Sequence, residues 1–291
     1  MLYILTIHFK DKWVDIQKEN LKKYISEPYK VYTRLGENFE QHKDKFDGAI
    51  EGQGHWTASM KLLLNFIVEN AKPEDKVLLL DSDAFPIAPI TDFLNEKLEK
   101  YPFVSCQEPQ HEWDTNYKIP HPMFMLFKAK HILEGDLSYY LSNIIKDKYN
   151  NWWGGVIRWM KKHNYEYYPI VRSNKVNPHP LYFGIYENLI YHHWAGSRRM
   201  ITRQDRIRIR ELGGDGLKED DILKMIAEEN HKISSNVFEQ ITHQRGAIMD
   251  YLMGKNNIFK YLSFLNSKKT IRNDKYIVSI SKNKIIWQRK I

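Results

Sequence analysis

Apolar residues follow two rhythms along the chain, one continuous or alternating and one recurring every three to four positions. Leu2 to Phe9 is β-branched and aromatic almost throughout, which predicts a buried strand. Trp13, Ile16, Leu21, Tyr24 and Ile25 then recur at helical spacing, completing a first β-α unit. Tyr29 to Thr33 predicts a second strand. Gly54 to Ala71, with Leu62, Leu63, Phe66 and Ile67 on one stripe, predicts a second helix that Pro73 stops. A third strand, Lys76 to Leu80, runs straight into Asp81. Further strands are expected at Phe103 to Gln107, Pro122 to Phe127 and Tyr165 to Val171, with a helix over Gly154 to Lys162. Strands alternating with helices predict an α/β fold with a mixed, mostly parallel sheet flanked by helices. Such sheets bind ligands outside the carboxyl ends of their strands, where Asp81 would sit.

From about Glu211 the character changes. A glycine-rich turn, Leu212 to Gly216, precedes amphipathic helical text from Asp220 to Leu252 and a Lys- and Asn-rich end. The expected organisation is therefore a large domain over residues 1–210 and a mainly helical appendage over 211–291. At 291 residues and 42% hydrophobic composition the chain is long enough for a sizeable core. The net charge of +8 and the cluster from Arg198 to Arg210 suit an anionic ligand. No recognisable nucleic-acid motif accompanies them, so a phosphorylated small molecule is expected rather than nucleic acid. The lone Cys106 excludes an intrachain disulfide framework and a multi-cysteine zinc site, which favours a cytoplasmic setting. The first strand lacks a basic leader, and no apolar stretch approaches the ~20 residues of a membrane span, so any membrane contact is expected to be peripheral.

Two segments carry chemistry. Val77-Leu78-Leu79-Leu80-Asp81-Ser82-Asp83 sets two carboxylates one residue apart where an apolar strand gives way to a loop. Carboxylates so close repel each other, and a divalent cation removes the repulsion while accepting diphosphate oxygens. Tyr191-His192-His193-Trp194-Ala195-Gly196-Ser197-Arg198-Arg199 adds an imidazole able to complete such a site, a glycine that lets backbone approach a phosphate, and two guanidinium groups to neutralise it.

The strand ending in Asp81-x-Asp83, followed by His193-x-x-Gly196-x-x-Arg199, resembles the pattern of GT-A (Rossmann-like) glycosyltransferases, most nearly the glycogenin and bacterial galactosyltransferase group. Residues 168–199 are also similar to uncharacterised bacterial and viral glycosyltransferase-like proteins. The resemblance extends over residues 1–210. It implies a metal-dependent glycosyltransferase that moves a sugar from a nucleotide-sugar donor, UDP-linked, to a glycan or lipid-linked hydroxyl acceptor. Asp83 and His193 would ligate the metal, Asp81 would contact metal or donor ribose, and the sequence does not separate His192 from His193 as ligand. Asp83, Asp81 and Arg199 form the implied catalytic set. Donor contacts are implied at Thr6, Ile7 and His8, with Tyr32 and Lys61 as neighbours, at Asp81 and Ser82, and at Gly196, Ser197, Arg198 and Arg199. Arg199 stands where that group usually has Lys, conserving charge but not geometry. The histidine tilts the expected ion toward Mn2+ over Mg2+. Where relatives place an aspartate before a glycine pair, Asn150-Asn151-Trp152-Trp153 precedes Gly154, leaving Glu108, Glu112 and Asp114 as acidic candidates for a general base. Trp152, Trp153 and the loop from Gln107 to Pro122 are expected at the acceptor. Two other readings stand beside this one. In a haloacid-dehalogenase-like phosphatase Asp81 would be the nucleophile, but that family carries it on the first strand. In a basic nucleic-acid module Arg198 to Arg210 would grip phosphates.

Overall fold

The computed structural model describes residues 1–8, 13–36, 40–51, 56–107, 120–143, 154–175, 182–194, 269–272, 276–281 and 284–289. The first β-α unit is β1 (Leu2–His8) and α1 (Val14–Tyr24), followed by β2 (Tyr29–Leu35) and β3 (Gly48–Glu51). Then come α2 (Trp56–Asn70), β4 (Lys76–Asp81), the short β5 (Ala84–Pro86), α3 (Thr91–Lys100), β6 (Phe103–Gln107) and β7 (Pro120–Lys128). Short helices α4 (Lys130–Leu133) and α5 (Leu137–Ser142) precede α6 (Gly154–Lys162), β8 (Tyr167–Ile170), β9 (Tyr182–Tyr186) and β10 (Ile190–Trp194).

Seven strands form one sheet in the order β3-β2-β1-β4-β7-β6-β8. Only β7 runs against the others, pairing antiparallel with both β4 and β6, so the sheet is mixed and mostly parallel, an α/β Rossmann-like arrangement. All seven residues of β1 are buried, as a central parallel strand covered on both faces requires. Strand alternation divides its side chains. Tyr3, Leu5 and Ile7 join Tyr32, Val77, Leu79, Phe103, Met125 and Phe127 in a core closed by Leu63, Leu64 and Ile67 of α2 and by Trp159 of α6.

The chain leaves β1 for β2 and β3, then returns across β1 to β4 on the other side. In open α/β sheets such a reversal is where ligands bind, here at the carboxyl ends of β1 and β4. A second sheet, β5-β10-β9, stands beside it. Glu187 (φ 48°) and Asn188 (φ 57°) occupy the left-handed region between β9 and β10, and the Leu189 amide donates to the Tyr186 carbonyl at 2.8 Å. That is a type I′ hairpin turn.

Most expected elements form within two residues of their predicted ends. Short β3 and β5 and the β9–β10 hairpin were not anticipated, because runs of three to five residues carry too little periodicity, and the ten-residue helix α3 was not anticipated either. The chain divides into two compact units, one of Met1–Ser173 with Ile185–His192, the other of Asn174–Gly184 with His193–Ile291. In the second unit, β11 (Lys269–Arg272), β12 (Tyr276–Ser281) and β13 (Lys284–Arg289) form an antiparallel meander. The helical text expected over 220–252, and the domain boundary near 210, lie outside the described residues. Among the described residues no helix is long and apolar enough to cross a membrane.

Candidate metal centre

The acidic turn is built where β4 runs out. Val77 to Leu80 are buried, Asp81 pairs in register with Ile7 at the end of β1, and Ser82 and Asp83 turn the chain into β5. Phe85 of β5 anchors the far side of the turn, packing on Trp13 (ring centroids 6.4 Å apart) and on Tyr191 (5.2 Å). Burial, with the charge of Asp83 adding to it, pushes the Tyr191 phenol well up, so this residue stays neutral in its packing role.

Strand β10 pairs antiparallel with β5 and sets His192 opposite Ala84, one residue beyond Asp83. The His192 Nε2 lies 3.2 Å from Asp83 Oδ1 and 3.6 Å from Asp81 Oδ2. One ligand atom from each of the three residues lies within 4.8 Å of the others. Donors about 2.1 Å from a cation sit roughly 3.0 Å apart at right angles and about 3.4 Å apart at the tetrahedral angle, so these separations suit one shared ion. Two carboxylates and an imidazole are also a fitting donor set for a divalent first-row metal. Asp83 and His192 are buried, while Asp81 is 28% exposed at its side chain, leaving the centre open on one side.

The structure therefore brings His192, not His193, to the carboxylates. Neighbouring residues on a strand face opposite ways, so only one of the pair can turn toward the acidic loop, and the β5 register selects His192. His193 is fully buried.

Gln17 completes the centre from the side of α1. Its Nε2 donates to the Asp81 carbonyl (2.8 Å) and to the Ala84 carbonyl (2.9 Å), the two ends of the acidic turn, and its Oε1 pairs with His8 Nε2 at 3.1 Å. Carbonyls only accept, which fixes the amide's orientation. Oε1 is then an acceptor, and His8 must carry its proton on Nε2. Burial pulls the His8 pKa down to about 4, outweighing the Gln17 hydrogen bond and the nearby Asp83 charge, so the ring is neutral at physiological pH. Sequence reasoning missed Gln17, although a signal was present: with Val14 and Leu21 it occupies the buried stripe of α1, where a glutamine is out of place unless a partner awaits it.

Of the expected donor contacts, Thr6, Ile7 and His8 are buried at the carboxyl end of β1, and Ile7 is level with Asp81. Ser82 lies in the acidic turn. Tyr32 is a core residue, stacked on Phe66 with centroids 4.4 Å apart and flanked by Tyr3 at 6.1 Å. Lys61 is exposed on α2. Gly196, Ser197, Arg198, Arg199, Trp152, Trp153, Glu108, Glu112 and Asp114 lie outside the described residues.

Fold and site together define a Rossmann-like α/β protein with an acidic, histidine-containing centre at its switch point. No family model matches the chain. No curated protein matches it either. Among solved structures it is similar to the glycosyltransferase GlyE of Streptococcus pneumoniae TIGR4. The apo form aligns at 15% identity and a TM-score of 0.39 over 57% of this chain, and a second structure of GlyE at 14% identity and 0.40 over 58%. The alignment spans 44% of each GlyE chain.

Proposed function

We propose that the chain is a metal-dependent glycosyltransferase of the GT-A type that transfers a sugar from a nucleotide-diphosphate donor, UDP-linked, to a glycan or lipid-linked hydroxyl acceptor. The observation that carries this reading is the convergence of Asp81, Asp83 and His192 where β4 ends beside β1. Asp83 and His192 would hold the cation, with Asp81 as third ligand or as partner of the donor ribose. A bound divalent ion, Mn2+ in preference to Mg2+, would supply positive charge to the leaving diphosphate.

The protein's own groups do the rest. Glycosyl transfer breaks the bond from the anomeric carbon to a diphosphate oxygen, so negative charge grows on the leaving group, and fixed donors gain strength as it grows. Arg199, with Gly196, Ser197 and Arg198, would face that charge. Thr6, Ile7 and His8 would border the nucleoside, with Tyr32, packed on Phe66, and Lys61, exposed on α2, as outer neighbours. The reading fits a cytoplasmic enzyme that meets a membrane, if at all, peripherally.

The test is a screen of nucleotide sugars for Mn2+-dependent hydrolysis by the full chain. One donor class should be cleaved with Mn2+, cleavage should stop on chelation, and Asp83→Ala should abolish it. Cleavage by folded Asp83→Ala at the wild-type rate would overturn the metal assignment.

A further inference from the structure

We infer that Gln17 is the positioning residue of the metal centre, a buried clip whose hydrogen bonds hold Asp83 in ligating geometry although Gln17 touches neither cation nor substrate. The inference rests on the reading of Asp81, Asp83 and His192 as a cation site.

A primary amide offers two N–H donors and a carbonyl acceptor, and all three directions are used here: Asp81 O, Ala84 O and His8 Nε2. The two carbonyls are the first and last of the four-residue turn that carries Asp83, so one side-chain group spans the turn and fixes the separation of its ends. Gln17 is 1% exposed, as is fitting for a residue with a structural duty inside the protein. Its remaining group, Oε1, is held by the neutral His8 at the end of β1. The chain of contacts thus runs from the central strand through α1 to the acidic turn. The far end of the turn is tied independently, by the pairing of β5 with β10 that delivers His192. Clip and strand pair together determine how far Asp83 lies from His192. Groups that orient metal ligands without binding metal typically alter affinity by about 10- to 100-fold when removed.

The test compares four full-length proteins, wild type, Gln17→Met, Gln17→Glu and Leu21→Ala, by Mn2+ titration followed by electron paramagnetic resonance of the free ion and by thermal unfolding. Methionine keeps the volume and removes all three hydrogen bonds. Glutamate keeps the acceptor for His8 but turns an oxygen toward the two carbonyls, and it serves if the methionine variant does not fold. Leu21 is buried on the same helix face, so Leu21→Ala reports what simple loosening of α1 does. The expected result is Mn2+ binding weakened at least about tenfold in the Gln17 variants and by less than about twofold in Leu21→Ala at a similar loss of melting temperature. Equal affinities in wild type and the Gln17 variants, or an equal loss in Leu21→Ala, would overturn the positioning role and leave the cation site standing. Failure of the wild type itself to bind Mn2+ would remove both.

Discussion

Gly48 lies on β3 opposite Tyr32, and adding one methyl group there tests how Tyr32 is used. A Cβ at position 48 would meet Tyr32 Cδ1 at 2.7 Å, Tyr32 Cε1 at 3.0 Å and Phe66 Cε1 at 3.2 Å. Ordinary carbon contacts need about 3.5 to 4.0 Å, so the tyrosine ring would have to retreat by roughly 1 Å. It has little room, since it is stacked on Phe66 at 4.4 Å and flanked by Tyr3 at 6.1 Å. Overpacking of this kind costs about 1–3 kcal/mol, and disturbing the stack adds up to about 1 kcal/mol. Alanine returns about 0.4–1 kcal/mol by restricting the unfolded chain. The net expectation for Gly48→Ala is a loss of about 2 kcal/mol, or roughly 4–8 °C in melting temperature for a domain of this size. Thermal unfolding followed by circular dichroism measures it, with the same substitution repeated in a Tyr32→Leu background, where the smaller side chain should reduce the cost of the added methyl by more than half. A Gly48→Ala protein that melts at or above wild type, or a cost unchanged by Tyr32→Leu, would refute the packing role given to Tyr32.

Asp83→Asn and His192→Ala should each remove most of the rise in melting temperature that excess MnCl2 produces in wild type. That rise corresponds to about 2.7 kcal/mol at a hundredfold excess over Kd, and its survival in either variant would contradict the ligand set. Glu187→Asn should stabilise the β9–β10 turn by about 0.5–1 kcal/mol in denaturant titration, because asparagine tolerates positive φ better than glutamate. Asp136 has its pKa lowered to about 2, chiefly by its hydrogen bond from Lys162 and also by His163. A carboxylate depressed in the fold stabilises it above the ordinary value of 3.8 and loses that contribution as pH falls toward 2. Asp136→Asn should therefore narrow the stability difference between pH 5 and pH 2.5. The change should be about 0.5 kcal/mol or less, since the group is partly exposed, and should shrink further in high salt.

The sheet is largely legible in the amino-acid sequence. The apolar runs at Leu2, Tyr29, Lys76 and Phe103 are long enough, and the helical stripes between them regular enough, that β-α alternation follows from period alone. The acidic pair was legible for the same reason, a polar interruption at the end of a buried strand. The histidine could be narrowed only to a pair, because choosing between His192 and His193 requires the register of β10 on β5, and three residues of β5 carry no signal of their own. Tyr32 is ambiguous in sequence for a related reason. An aromatic near a strand's end looks the same in sequence whether it lines a cleft or fills a core, and only the stack with Phe66 distinguishes them.

The two carboxylates and the imidazole lie more than a hundred positions apart along the chain, and the pairing of β10 with β5 brings the imidazole back. During synthesis, Asp81 and Asp83 therefore emerge from the ribosome well before their third partner exists. If the centre holds a cation as proposed, a nascent or truncated chain ending ahead of Ile190 would present two carboxylates without the imidazole, and full affinity would wait until β10 had been made and paired with β5.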